Sequence, residues 1–81
     1  MVPLQRKVRR ILGVLHLAQR PLTTQELIRA TAHTAGTVCF TLYRLEQAGW
    51  VERHQIPDAP VTYQPTPHGL AATGYNERGD A

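Results

Sequence analysis

Residues 42–51 read Leu42-Tyr43-Arg44-Leu45-Glu46-Gln47-Ala48-Gly49-Trp50-Val51, and the pattern of apolar positions changes inside that stretch. Upstream, Val38, Leu42 and Leu45 recur at steps of four and three, which lines one side of an α-helix. Downstream, Trp50-Val51-Glu52-Arg53-His54-Gln55-Ile56 approaches a period of two, as a strand requires. Gly49 stands between the two patterns, where a helix that ends in a left-handed residue places its glycine. A helix that stops there and passes directly into a strand, in a chain of 81 residues, implies one small α+β domain.

Beyond the strand, Pro57-Asp58-Ala59-Pro60 is a turn and Val61-Thr62-Tyr63-Gln64 a return strand, so residues 50–64 form a hairpin. Thr66 is then an N-cap and Pro67 a first helical residue, opening a short helix that runs to about Thr73. The polar, glycine-containing residues 74–81 are expected to be a flexible tail after a domain of residues 1–73. In the other direction, Thr34 caps the helix that carries Val38. Thr23-Thr24-Gln25-Glu26 is a capping box for a second helix over Thr24 to Thr31, with Leu27, Ile28 and either Ala30 or Thr31 facing inward. Leu22 and Thr23 form a short extended link. Before it, Leu4, Val8, Ile11, Leu12, Leu15 and Ala18 make the apolar stripe of a first helix, with Pro3 in its first turn and Arg20-Pro21 at its end.

Charge is unevenly distributed along this framework. Residues 1–44 hold seven Arg and Lys against the single acid Glu26, a net of +6. Residues 45–81 hold Arg53 and Arg78 against five acids, a net of −3. A one-sided basic surface concentrates polyanions, either nucleic acid or an anionic membrane. The apolar positions after Arg10 are interrupted by Gly13, His16 and Gln19, so neither an export signal nor a membrane span is expected. The one cysteine, Cys39, forms no intrachain disulfide, which suits the cytoplasm, and is expected to be a small, semi-buried helix residue. His16, His33, His54 and His68 include no i, i+4 pair, so no metal or cofactor is expected. The chain contains no serine and no pair of groups at catalytic spacing, which argues against an enzyme.

The order helix, link, helix, turn, helix, hairpin, helix resembles the winged helix-turn-helix regulators, in particular PadR-like and MarR-like transcription factors. The resemblance is carried by Pro21 to Leu27, by Gly36-Thr37-Val38, by Leu42 to Val51 and by Tyr63-Gln64-Pro65-Thr66-Pro67-His68-Gly69. It covers residues 8–72 and implies a three-helix core, a two-stranded β-hairpin wing and a short C-terminal helix. It also implies sequence-specific binding of double-stranded DNA, with the third helix in the major groove.

With Val38, Leu42 and Leu45 inward, helical geometry sets Gly36, Phe40, Arg44 and Gln47 on the outer face, flanked by Thr37 and Tyr43. Arg44 suits a guanine edge or a phosphate and Gln47 an adenine or a phosphate. Thr34 and Thr37 lie near the helix start, where phosphates bind, and Gly36 permits close approach. Phe40 departs from the family's more polar pattern; it meets a thymine methyl, anchors a protein partner or turns inward beside Cys39. Arg6, Arg9 and Arg10 on the first helix are candidates for phosphate contact. On the wing only Arg53 and His54 are available, because its tip carries Asp58 and no cation.

The family's long dimerisation helices have no counterpart here, so no small-molecule effector is expected, and a homodimer would use the first helix through Val14 and Leu17, the C-terminal segment or the wing. Two alternatives stand beside the DNA-binding regulator. One is a protein-interaction module, an adaptor or inhibitor of a host factor anchored by Phe40 and Tyr43. The other is an excisionase-like architectural DNA-binding protein.

Overall fold

The computed structural model describes residues 5–73. Its elements are α1 (Arg6–Ala18), β1 (Leu22–Thr23), α2 (Thr24–Thr31), α3 (Ala35–Gln47), β2 (Val51–His54), β3 (Thr62–Pro65) and α4 (Pro67–Thr73). This is the α+β winged-helix arrangement, with one addition. Leu22 and Thr23 are not merely a link but a two-residue strand, antiparallel to β3, so the sheet has three strands in the order β1-β3-β2. Leu22 pairs with Tyr63, and on the other side of β3 Arg53 also pairs with Tyr63. The return strand lies one residue later than expected, with Pro65 opposite Val51 at its end.

Local chemistry accounts for the helix ends. Gln5 is the extended N-cap of α1, which therefore opens at Arg6 rather than at Pro3; Pro3 and Leu4 lie outside the described residues, as do residues 74–81. Thr23 Oγ1 accepts from Glu26 N–H at 3.1 Å, and Glu26 Oε1 accepts from Thr23 N–H at 2.9 Å, completing the capping box of α2. Gly49, at φ 79°, terminates α3. Its N–H donates to the Glu46 carbonyl at 3.0 Å, and the Trp50 N–H donates to the Leu45 carbonyl at 2.9 Å. This pair of bonds is the Schellman closure, and it turns the chain from α3 into β2. At the start of α4 the Thr66 hydroxyl accepts from Gly69 N–H at 3.0 Å and donates to the Gly49 carbonyl at 2.7 Å. One side chain thus caps α4 and ties it to the α3–β2 corner.

The core is built from Val8, Ile11, Leu12 and Leu15 of α1, Leu22, Leu27, then Val38, Leu42 and Leu45 of α3, with Trp50 and Val51 closing it under the sheet. Thr31 rather than Ala30 is the inward residue at the end of α2; its hydroxyl, buried with the side chain, donates to the Leu27 carbonyl at 2.7 Å. Helix α1 packs on α2, β3, α4 and, less extensively, α3, while α3 is seated mainly against α2 and β2.

Candidate nucleic-acid interface

Helix α3 is held from beneath and open from above. Val38, Thr41, Leu42 and Leu45 are buried. On the opposite face Gly36, Phe40, Tyr43 and Gln47 are exposed, with Arg44 half-buried at its edge. Phe40 and Tyr43 each remain 60% exposed. The inward alternative for Phe40 is therefore ruled out by the geometry. Cys39 is exposed as well, not semi-buried as expected, because it lies at the side of the helix between the core and outer faces. The Arg44 guanidinium carbon sits 5.8 Å from the centroid of the Phe40 ring, within cation–π range. At the helix start the Thr34 hydroxyl accepts from Thr37 N–H at 3.2 Å and donates to Thr37 Oγ1 at 3.0 Å. A Cβ built on Gly36 would meet nothing within 4 Å, so the surface there is open to an approaching backbone.

The basic residues divide into those with partners and those without. Arg6 and Arg9 are exposed at the beginning of α1, whose first turn contains no acid. Cations at the positive end of a helix dipole work locally against the helix, so this cluster is not explained by the stability of α1. Among the described residues no carboxylate pairs with Arg6, Arg9, Arg29 or Arg44. Arg10 was expected to point freely outward like Arg6 and Arg9; instead its Nε donates to the Thr31 carbonyl at 3.2 Å. Thr31 ends α2, so this bond fastens the basic end of α1 to the turn that leads into α3. Sequence reasoning missed it because the partners are 21 residues apart. Arg29, exposed on the last turn of α2, was also missed; its lack of an acid partner became visible only in the fold.

Wing residues are differently placed. Arg53 Nε lies 3.4 Å from Glu46 of α3, and His54 Nε2 lies 3.2 Å from Glu52. Both wing candidates are thus beside carboxylates, which reduces what they offer a phosphate. The structure gathers Thr34, Gly36, Thr37, Phe40, Tyr43, Arg44 and Gln47 on one helix, sets Arg6, Arg9 and Arg10 on a second that is bonded to its approach, and leaves Arg53 and His54 at the flank, beside Glu46 and Glu52.

Among the described residues, no three His, Cys, Asp or Glu side chains come together as metal ligands, and no helix is long and apolar enough to cross a membrane. A depression of about 320 Å³ lies between the end of α1, β3 and α4, lined in part by Leu15, His16, Arg20, Gln64 and Leu70; none of its walls belongs to α3.

The sequence matches the family model of the MarR family over residues 3–59. A comparison with curated proteins gives no match. Among solved structures the chain is similar to the multiple antibiotic resistance repressor MarR, at 25% identity and a TM-score of 0.79 over 91% of this chain and 54% of that one. It is similar to a mutant MarR from E. coli complexed with operator DNA, at 26% identity and a TM-score of 0.78 over 89% and 52% of the two chains. MepR, a transcription regulator of the Staphylococcus aureus multidrug efflux pump MepA, shares the fold at 22% identity, with a TM-score of 0.78 over 88% and 53%. The chain spans about half the length of these structures.

Proposed function

The chain belongs to the MarR family, and from that premise we propose that it is a sequence-specific double-stranded DNA-binding transcriptional regulator that lays α3 in the major groove. The observation that carries this reading is the outer face of α3, with Arg44 and Gln47 beside exposed Phe40 and Tyr43 on a helix seated firmly by its opposite side. The operator complex of the similar E. coli protein supports it.

In this arrangement Arg44 and Gln47 take base edges or phosphates, and Tyr43 flanks them. Thr34 and Thr37 sit where the α3 amides attract a phosphate, and Gly36 lets the duplex come close. Arg6 and Arg9 supply non-specific attraction, while Arg10 divides its guanidinium between the Thr31 carbonyl and the duplex. Arg53 and His54 contribute little beside their carboxylates. The role is one of binding in the cytoplasm, without catalysis. A single copy meets one half-site; Leu17, 78% exposed on α1, is the apolar position open to a second copy, whereas Val14 is half-buried against the core.

The test is fluorescence anisotropy against a random duplex and an equal-length single strand, each titrated with salt. Duplex binding with a log–log salt slope of several units is expected. Absence of duplex binding even at low salt overturns the reading. Salt-insensitive capture of a protein, lost with Phe40→Ala, would favour the interaction module that the exposed Phe40 and Tyr43 also suit.

A further inference from the structure

An exposed phenylalanine on a DNA-facing helix has an unfavourable hydration cost, and the fold does not hide it: Phe40 is 60% exposed. Its ring does have one neighbour with chemical meaning. The Arg44 guanidinium lies 5.8 Å from its centroid, one helical turn further on, and no carboxylate pairs with that guanidinium among the described residues. A free arginine on a helix surface samples many rotamers, and every one must be given up when it binds. Attraction to the ring narrows that set before DNA arrives, and leaves the planar N–H donors able to address a base edge.

We infer that Phe40 and Arg44 act as one two-residue reader for a thymine and a guanine in neighbouring base pairs. This rests on the proposed DNA-binding reading and names what α3 selects. In the major groove the thymine C5-methyl is the one apolar group that a base pair presents, and guanine offers the N7 and O6 acceptors that fit an arginine fork. Successive base pairs are about 3.4 Å apart along the axis, so two groups 5.8 Å apart, when set along the groove, span more than one step and can address neighbouring pairs together. Phe40 is then a specificity-determining residue in two ways. Its ring covers the methyl, and its π face holds the Arg44 guanidinium in place for the guanine. Gln47, a turn from Arg44, continues the same face toward a third base pair.

A binding site is first selected from a random duplex library with the unmodified protein, and should contain a thymine and a guanine in neighbouring pairs. In that duplex, deoxyuridine for thymine removes only the methyl, and 7-deazaguanine for guanine removes only the N7 acceptor. The protein should lose about three- to five-fold in affinity for the missing methyl and roughly tenfold for the missing N7. Phe40→Ala should abolish the uracil penalty and weaken the 7-deazaguanine penalty. Phe40→Leu, which keeps an apolar group but no ring, should retain the uracil penalty and still weaken the 7-deazaguanine one. Neither should change the salt slope, and the exposure of Phe40 predicts unaltered thermal melts for both. Indifference to uracil at every thymine of the site, both penalties surviving in Phe40→Ala, or a selected site without the neighbouring pair overturns this inference alone, because salt-dependent duplex binding persists. Loss of all duplex binding by the unmodified protein overturns the DNA-binding reading beneath it.

Discussion

Gly69 and Gly36 show how differently two helical glycines are used. A Cβ on Gly69 would run into the carbonyl oxygen, carbonyl carbon and Cα of Trp50, all backbone atoms that Thr66 N–H and the Schellman closure hold in place. Only glycine lets α4 lie against the α3–β2 corner. Gly69→Ala should therefore destabilise the domain by about 1–3 kcal/mol, seen as a lower urea midpoint at unchanged slope. At Gly36 the added methyl meets open space, and alanine is the better helix former by about 0.5–1 kcal/mol. Gly36→Ala should leave the urea midpoint unchanged or raise it. A weaker duplex affinity in that well-folded variant would mark the position as one that DNA approaches closely.

At the scale of the element, α2 depends on a network at its start that responds to acid. Glu26 accepts from Arg20 and from the Thr23 N–H. These bonds, the Arg20 hydrogen bond first, hold its carboxyl below the ordinary value of 4.5. A carboxylate whose pKa is lowered by folding stabilises the native state at pH above its unfolded pKa, and that stability is lost as pH falls through the lowered value. The difference in Tm between the unmodified protein and Glu26→Gln should therefore be present near neutrality and shrink as the pH is taken below 4.5. A difference that is constant with pH would mean that the charge on Glu26 is immaterial. The capping box was legible from four consecutive residues, Thr23-Thr24-Gln25-Glu26, but the Arg20 bond to Glu26 was not; Thr34, Gly49 and Thr66 were legible for the same local reason as the box. Strand β1 was not, because two residues have no period and their partners, Tyr63 and Thr62, lie 41 and 39 positions away. The outer face of α3 followed from the spacing of Val38, Leu42 and Leu45, but the exposure of Cys39 and the approach of the Arg44 guanidinium to the Phe40 ring depend on where the core ends. Ion pairs were hidden similarly: nothing in the order of residues indicates that Glu46 would lean on Arg53.

For the whole molecule, the charge asymmetry becomes a statement about which cations act. The net +3 is spread over nine Lys and Arg, yet in the fold Arg20 and Arg53 are held by Glu26 and Glu46, and Arg10 is bonded to the end of α2. Arg6, Lys7, Arg9, Arg29 and Arg44 are left without carboxylates among the described residues, outside which Arg78 lies. Counterions are released from DNA only by cations that reach its phosphates, so each such contact removed should lower the log–log salt slope by about one. Replacing Arg6 and Arg9 together by glutamine should reduce the slope by about two units and weaken binding to all sequences alike. Arg53→Gln, which removes the same formal charge from a residue already beside a carboxylate, should change the slope by less than about half a unit. Anisotropy titrations between about 50 and 200 mM salt measure both. Equal slope changes per charge for the two variants would show that DNA responds to the total charge of the molecule. Unequal changes in the expected order would show that the fold, by pairing some cations and leaving others free, directs its attraction for the duplex to the α1 end of the domain.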